Sequence, residues 1–232
     1  MSTIADNIAQ VSSRIHAAAL AAKRDEDSVQ LLAVSKTKPA EALREAYAAG
    51  LRDFGENYLQ EALSKQLELA DLPLIWHFIG PIQSNKTRAI AEHFAWVHSV
   101  DRLKIAQRLS EQRPAELPPL NICIQVNVSG EASKSGCTPA DLPALANAIG
   151  ELPRIKLRGL MAIPEPTEDR AAQDAAFAAV QHLQASLNLP LDTLSMGMSH
   201  DLESAIAMGA TWVRIGTALF GARDYQQMHA QP

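Results

Sequence analysis

Two cysteines are too few for a disulfide framework, and their settings do not pair them: Cys123 lies in an apolar run and Cys137 in a polar loop. Two thiols also lack the number and spacing of a zinc site, so the reading is a protein of a reducing compartment with no metal centre. Positive charge is in deficit, with 21 Lys and Arg against 26 Asp and Glu and a net charge of -5. A general binder of nucleic acid or of an anionic membrane needs a basic surface to meet the phosphates, so both classes are disfavoured and any anion site must be local. Long apolar runs are missing as well. The N-terminal stretch "MSTIADNIAQVSSRIHAAALAAKR" is interrupted by Asp6, Asn7, Gln10 and Arg14, which leaves no signal-peptide core and no membrane span. A cytoplasmic location is the expectation. With no Gly/Ser linker and no low-complexity break, residues 1-232 read as a single domain. Nucleotide-binding glycine patterns are also wanting: no G-x-G-x-x-G follows the first strand and no P-loop occurs.

What is present is an aliphatic core in repeating pieces. Hydrophobic residues make up 47% of the chain and aromatics only 5%, which suits a soluble aliphatic interior. From residue 3 to 23, Ile4, Ile8, Val11, Ile15 and Ala18 recur at spacings of four, three, four and three. That is the stripe of an amphipathic helix, with Arg14 off it. Beyond it, short apolar runs alternate with helical patterns. Strands are expected at 29–35, 52–55, 75–79, 95–100, 121–128, 155–163, 193–196 and 212–215. Between them, stretches such as "AEALREAYAAG" and "DLPALANAIG" carry an early acid and a closing glycine, the start and stop signals of helices. Eight βα units in a chain of this length predict an α/β protein, a single (β/α)8 TIM-type barrel with an extra N-terminal helix. An open doubly wound sheet is the alternative.

In such a barrel the active site sits at the C-terminal strand ends, so the polar residues there are the candidates. "LLAVSKTKP" opens as a strand apolar on both faces and ends in Lys36 and Lys38 before Pro39. A lysine there is ordinarily structural, its stem packed and its head in solvent. Burial would instead lower its pKa and free the amine to attack a carbonyl. The two lysines point the same way, and Lys38 lies about 6.6 Å further along an extended chain. Glu56 and Asn57 follow the second strand, His77 lies in the third and Asn127 near the end of the fifth. "SMGMSHD" closes the seventh strand, and Arg214 with "IGT" closes the eighth. Gly197, Ser199, Gly216 and Thr217 suit a phosphate held by the last two loops, and the two hydroxyls also suit N-caps of the helices that follow. Asp201 puts a charge of the wrong sign near Ser199. Blander readings fit other residues. His77, between Trp76 and Phe78, reads as a satisfied core histidine, Met196 and Met198 as core filler, Arg158 as paired with a carboxylate, and Lys134 in "SGEASKSGC" as a solvated loop charge.

Longer stretches carry a likeness. "AVSKTKP", "FGENYLQEA", "WHFIGPIQSNK", "RGLMAIP" and "SMGMSHDLESAIAMGATWVRIGTALFG" span nearly the whole chain and resemble the pyridoxal-phosphate homeostasis protein family, which shares the barrel of the N-terminal domain of alanine racemase. The resemblance implies that the cofactor is pyridoxal 5'-phosphate (PLP), held as a Schiff base on Lys36. It places Asn57 beside the cofactor, Ser199, Gly216 and Thr217 on its phosphate, and Arg214 against the pyridine nitrogen. Arginine keeps its proton, so that nitrogen would stay unprotonated and the ring would be a poor electron sink, which disfavours transaminase chemistry.

The function so implied is to bind PLP and take part in vitamin B6 homeostasis, handing cofactor to apo PLP-dependent enzymes, without substantial turnover. The alternative is a PLP-dependent amino-acid racemase, which needs a proton donor on each face of its substrate. In alanine racemase the second donor is a tyrosine supplied across a dimer that an additional β domain helps to build. This chain ends at Pro232, and its three tyrosines, Tyr47, Tyr58 and Tyr225, fall in or near helices or the tail. A monomer that is not an enzyme is therefore the expectation, and residual racemase-type activity is compatible with it. A third reading, a barrel enzyme that takes a phosphorylated substrate without any cofactor, would leave Lys36 as a structural or catalytic amine.

Overall fold

Eight parallel strands close a barrel in chain order in the computed structural model, which describes residues 2–129 and 135–222. The strands are β1 (Gln30–Val34), β2 (Asp53–Glu56), β3 (Ile75–Phe78), β4 (Trp96–Val100), β5 (Leu120–Gln125), β6 (Ile155–Met161), β7 (Thr193–Ser195) and β8 (Trp212–Ile215). β8 returns to β1 with Leu31 opposite Val213 and Ala33 opposite Ile215, so no edge is left. Helices α2 (Ala40–Ala48), α3 (Leu59–Glu68), α4 (Thr87–His93), α5 (Leu103–Gln112), α6 (Leu142–Gly150), α7 (Arg170–Ser186) and α8 (Leu202–Ala207) follow the first seven strands in turn, and α9 (Thr217–Phe220) follows β8. Every expected strand is found, and β5 and β6 stop earlier than their apolar runs. Val126 and Ala162 lie past these strand ends but are still buried, and their N–H groups donate to the carbonyls of Met161 and Ser195.

The N-terminal helix α1 (Ile4–Ala21) begins with a reciprocal cap: Thr3 Oγ1 accepts from the Asp6 N–H, and the Asp6 carboxylate accepts from the Thr3 N–H. Its stripe buries Ile8, Val11, Ile15 and Ala19 against the barrel's outer layer.

Two shells of packing result from strand alternation. Outward-facing Ala33, Phe54, Phe78, Ile122 and Val213 meet helix residues such as Leu43, Leu109 and Val180 in an apolar layer, all buried. The barrel's interior is different. In place of stacked aliphatic layers, His77, Trp96, His98 and Trp212 bring their rings together across the barrel, with centroid separations of 5.0 to 6.4 Å. A register shift between Ile122 and Cys123 leaves Arg158 as an extra residue in β6. Its guanidinium lies 4.8 Å from the Trp96 ring centroid and pairs with Asp192 at 2.8 Å, the carboxylate partner expected for it.

Candidate functional site

A cavity of about 290 Å³ opens at the C-terminal mouth of the barrel, close to the lower end of the roughly 300 to 1,000 Å³ usual for small-molecule sites. Lys36, Asn57, Ser199, Arg214, Gly216 and Thr217 all line it, although they come from four different strand ends. Of the other strand-end candidates, Glu56 faces outward to α3, His77 lies deeper in the barrel, and Asn127 is outside the lining.

Lys36 is presented by a four-residue turn in which the Lys38 N–H donates to the Ser35 carbonyl at 3.1 Å. The third residue, Thr37, has φ +64, a conformation that type II turns require and glycine usually supplies. For a β-branched residue it stores about 1–3 kcal/mol of strain. A buried ion cluster behind the barrel wall holds the turn in place. Lys65 Nζ donates to the Ser35 carbonyl at 2.7 Å, Glu56 Oε1 at 2.7 Å and Glu61 Oε1 at 2.5 Å. Glu61 Oε1 also accepts from the Thr37 N–H at 2.5 Å, and Ser35 Oγ donates to Glu56 Oε1 at 2.6 Å. The residues on both sides of Lys36 are thus pinned. Burial pushes the Glu56 carboxyl up, with Lys65 opposing it.

Lys38 also reaches the cavity wall, but its Nζ donates to the carbonyls of Phe220, Gly221 and Ala222 at 3.0, 3.1 and 2.7 Å. Three bonds use all the donors of an ammonium. Asn57 is set by Gly80, which packs so closely that an added Cβ would overlap the Asn57 carbonyl. The Asn57 Oδ1 is buried with no hydrogen-bond partner among the described residues, a setting that costs about 1–3 kcal/mol unless a donor arrives.

Arg214, 5% exposed, projects from β8 into the barrel. Its Nη1 donates to the Ser195 carbonyl at 2.6 Å and to Ser195 Oγ at 2.9 Å, and its Nη2 donates to the Ala162 carbonyl at 2.9 Å. Burial pushes its pKa down to about 10, with Asp201 opposing the shift, so the guanidinium stays charged at neutral pH. Its bonds to β7 and to the end of β6 fix the plane of the group at the cavity floor.

The last two loops build the opposite wall. Gly197 has φ +95, and an added Cβ would overlap the Ala205 Cβ, so this turn demands glycine. Gly216 lies flush against β1, where an added Cβ would come within 3.2 Å of the Val34 carbonyl oxygen. The capping roles expected of Ser199 and Thr217 are corrected: the N-cap positions are Asp201 and Gly216, Ser199 stands two residues ahead of its cap, and Thr217 is the first residue of α9. For Ser199 the cause is Asp201, whose carboxylate closes the turn by accepting from the Met198 N–H at 2.6 Å. That bond also folds the wrong-sign charge into its own loop; Asp201 is not among the cavity-lining residues.

Several contributors gave no sequence signal. His200, Ile79 and Ile163 line the cavity, and Met198, read as core filler, is part of its wall, whereas Met196 is fully buried as expected. Arg14, off the stripe of α1, holds the Ser199 carbonyl at 3.1 Å while pairing with Glu203 at 2.8 Å. Lys134 and Tyr225 lie outside the described residues.

Residues 2–224 match the family model of the alanine racemase N-terminal domain. The pyridoxal phosphate homeostasis protein of Pseudomonas aeruginosa is 79% identical over 225 residues, which cover 97% of this chain and 98% of that protein. The protein of the same name from Escherichia coli K12 is 56% identical over 233 residues, covering 98% and 100%. Among solved structures, PipY of Synechococcus elongatus with PLP bound is 44% identical and covers 94% of this chain and 100% of its own, with a TM-score of 0.84. The alanine racemase of Corynebacterium glutamicum shares the fold at 18% identity and a TM-score of 0.68, over 96% of this chain and 62% of that one. With relatives matched nearly end to end, this chain belongs to the alanine racemase N-terminal domain family and, within it, to the pyridoxal phosphate homeostasis proteins.

Proposed function

We propose that this protein holds PLP reversibly as a Schiff base on Lys36 and serves vitamin B6 homeostasis, buffering the cofactor and supplying apo PLP-dependent enzymes, without substantial turnover of its own. The observation that carries the reading is the convergence of Lys36, Asn57, Ser199, Arg214, Gly216 and Thr217 on one cavity. The donor set fits the ligand: an amine for the aldehyde, a fixed guanidinium for the pyridine nitrogen, and hydroxyls with close-approaching glycine backbone for the phosphate. The unpaired Asn57 Oδ1 suits a polar substituent of the ring. Lys36 is favoured over Lys38 by position: it stands just past the end of the first strand at the cavity, whereas the Lys38 amine is directed to the carbonyls of Phe220, Gly221 and Ala222. The barrel acts as a single PLP-binding domain and as a monomer in the cytoplasm; among the described residues no helix is long and apolar enough to cross a membrane.

The test is absorbance of the purified protein with PLP, before and after borohydride, for the unaltered chain, Lys36→Ala and Lys38→Ala. The reading expects a visible band that borohydride removes by fixing the cofactor to the chain, lost in Lys36→Ala and kept in Lys38→Ala. The reverse pattern would move the linkage to Lys38, and no band in the unaltered chain would leave a barrel that binds phosphorylated ligands without this cofactor.

A further inference from the structure

We infer that Asp53, His77, His98, Ser195 and Arg214 form one directional hydrogen-bond relay through the barrel, in which His77, His98 and Ser195 are positioning residues that hold the Arg214 guanidinium at the cavity. The links are short and continuous. Asp53 Oδ1 lies 2.9 Å from His77 Nε2, His77 Nδ1 2.9 Å from His98 Nε2, and His98 Nδ1 2.7 Å from Ser195 Oγ, which receives Arg214 Nη1 at 2.9 Å. The members come from β2, β3, β4, β7 and β8, so the relay crosses the barrel.

Counting protons gives it one direction. A guanidinium has only donors, so Ser195 Oγ accepts from Arg214 and has its own proton to give to His98 Nδ1. A neutral His98 then carries its proton on Nε2 and donates to His77 Nδ1. His77 in turn carries its proton on Nε2 and donates to the Asp53 carboxylate, which only accepts. The opposite order would end with a lone pair of His77 facing the lone pairs of Asp53 at 2.9 Å. Cation and anion therefore sit at the two ends of a chain whose middle members are neutral.

The surroundings suit that state. Both imidazoles are fully buried, and burial pushes their pKa values down, His98 further because His77 and Arg214 stand beside it. Trp96 stacks on His77 at 5.6 Å with the planes 4° apart, and Trp212 lies 5.0 Å from the same ring. The two indoles wall off the histidines on sides where they would otherwise meet water. At the far end, the Asp53 side chain is 22% exposed and lines a separate cavity on the other side of the barrel with Gln30 and Arg52. Of the three bonds that hold Arg214, two go to the backbone carbonyls of Ser195 and Ala162, and the third, to Ser195 Oγ, ties it to a buried network anchored on the opposite face. That the guanidinium then addresses a pyridine nitrogen rests on the PLP reading; the relay does not.

The test uses the full chain labelled with ¹⁵N-histidine, with and without PLP, the two rings being assigned by the signals lost in His77→Gln and in His98→Gln. Both are expected as neutral Nε2–H tautomers at pH 7. An Nδ1–H tautomer or an imidazolium at either ring would overturn the relay, whether or not PLP binds. Asp53→Ala, outside the cofactor cavity, is expected to disturb the His77 and His98 tautomers, shift the absorption maximum of bound PLP and weaken its affinity about threefold, the scale of coupling through buried networks. Asp53→Asn keeps an acceptor oxygen in place and should restore all three. Tautomers, spectrum and affinity unchanged in Asp53→Ala would overturn the positioning role. Failure of the unaltered chain to bind PLP would sink the proposed function while leaving the tautomers to decide the relay.

Discussion

Thr37 occupies a turn position that asks for glycine, next to the cavity-lining Lys36. Its φ of +64 and its buried Oγ1, unpaired among the described residues, both count against the folded state. The residue persists because the Glu61 carboxylate takes its N–H and Lys65 takes the carbonyl two residues earlier. Thr37→Gly should relieve about 1–3 kcal/mol of strain and add about 0.5–1 kcal/mol of chain entropy cost. The expected outcome is a net stabilisation of about 1 kcal/mol in urea unfolding, together with weaker PLP binding because Lys36 is held less firmly. A variant that loses stability would show that the turn is not strained. At this scale the sequence was informative where chemistry is written in residue type. A lysine ending an apolar run, an arginine inside a short strand, and Ser199, Gly216 and Thr217 from the last two loops all line the cavity. It was silent about Lys65, whose role comes from a helix turning it back onto the first strand, and about His200, which looks like any loop histidine.

Elements were legible for the same reason that they are stable. Parallel strands covered on both faces leave unbroken apolar runs, and β1 to β8 all appear where such runs were found. Ends were less legible, since Val126 and Ala162 continue the apolar pattern past the last residues of β5 and β6, and Asp201 displaced Ser199 from the cap through a bond within its own loop. The contact between α3 and the β1 turn is an element-scale feature of this hidden kind. Lys65 is 5% exposed and meets two carboxylates, one of them fully buried. Removing one partner of a buried ion pair leaves an uncompensated charge and costs about 3–5 kcal/mol. Lys65→Met is therefore expected to lower unfolding free energy by about that amount, and Lys65→Met with Glu56→Gln should recover part of it. A single variant as stable as the parent would mean that the cluster does not hold the turn.

The whole molecule encloses a polar interior inside an apolar sleeve, and its stability should report that. The pKa values of His77 and His98 are pushed below the free value of 6.5. Their contribution is fully present above pH 6.5 and is lost as pH falls below it, by up to about 1.4 kcal/mol per pH unit for each ring. The raised carboxyls of Glu56 and Asp201 act in the opposite sense, so the decisive comparison is with His98→Gln, which should flatten the fall in urea midpoint between pH 7 and pH 5.5. An equal slope in both proteins would place the titration elsewhere. The same architecture bears on turnover. A racemase needs a proton donor on each face of its substrate, and two side chains that could titrate are badly placed: Tyr58 is 52% exposed at the start of α3 and outside the cavity lining, and His77 is fully buried in the barrel and also outside it. Among the described residues His200 is the imidazole that lines the cavity, and under the proposed function Arg214 at the pyridine nitrogen would leave the ring a poor electron sink. A missing acid–base partner costs roughly 10² to 10⁴ in rate, so incubation with PLP and L-alanine should yield D-alanine and pyruvate far more slowly than about 1 s⁻¹, an ordinary enzymatic rate. Turnover at or above that rate, abolished by Lys36→Ala and by His200→Ala alike, would identify His200 as the second base and make the protein a racemase.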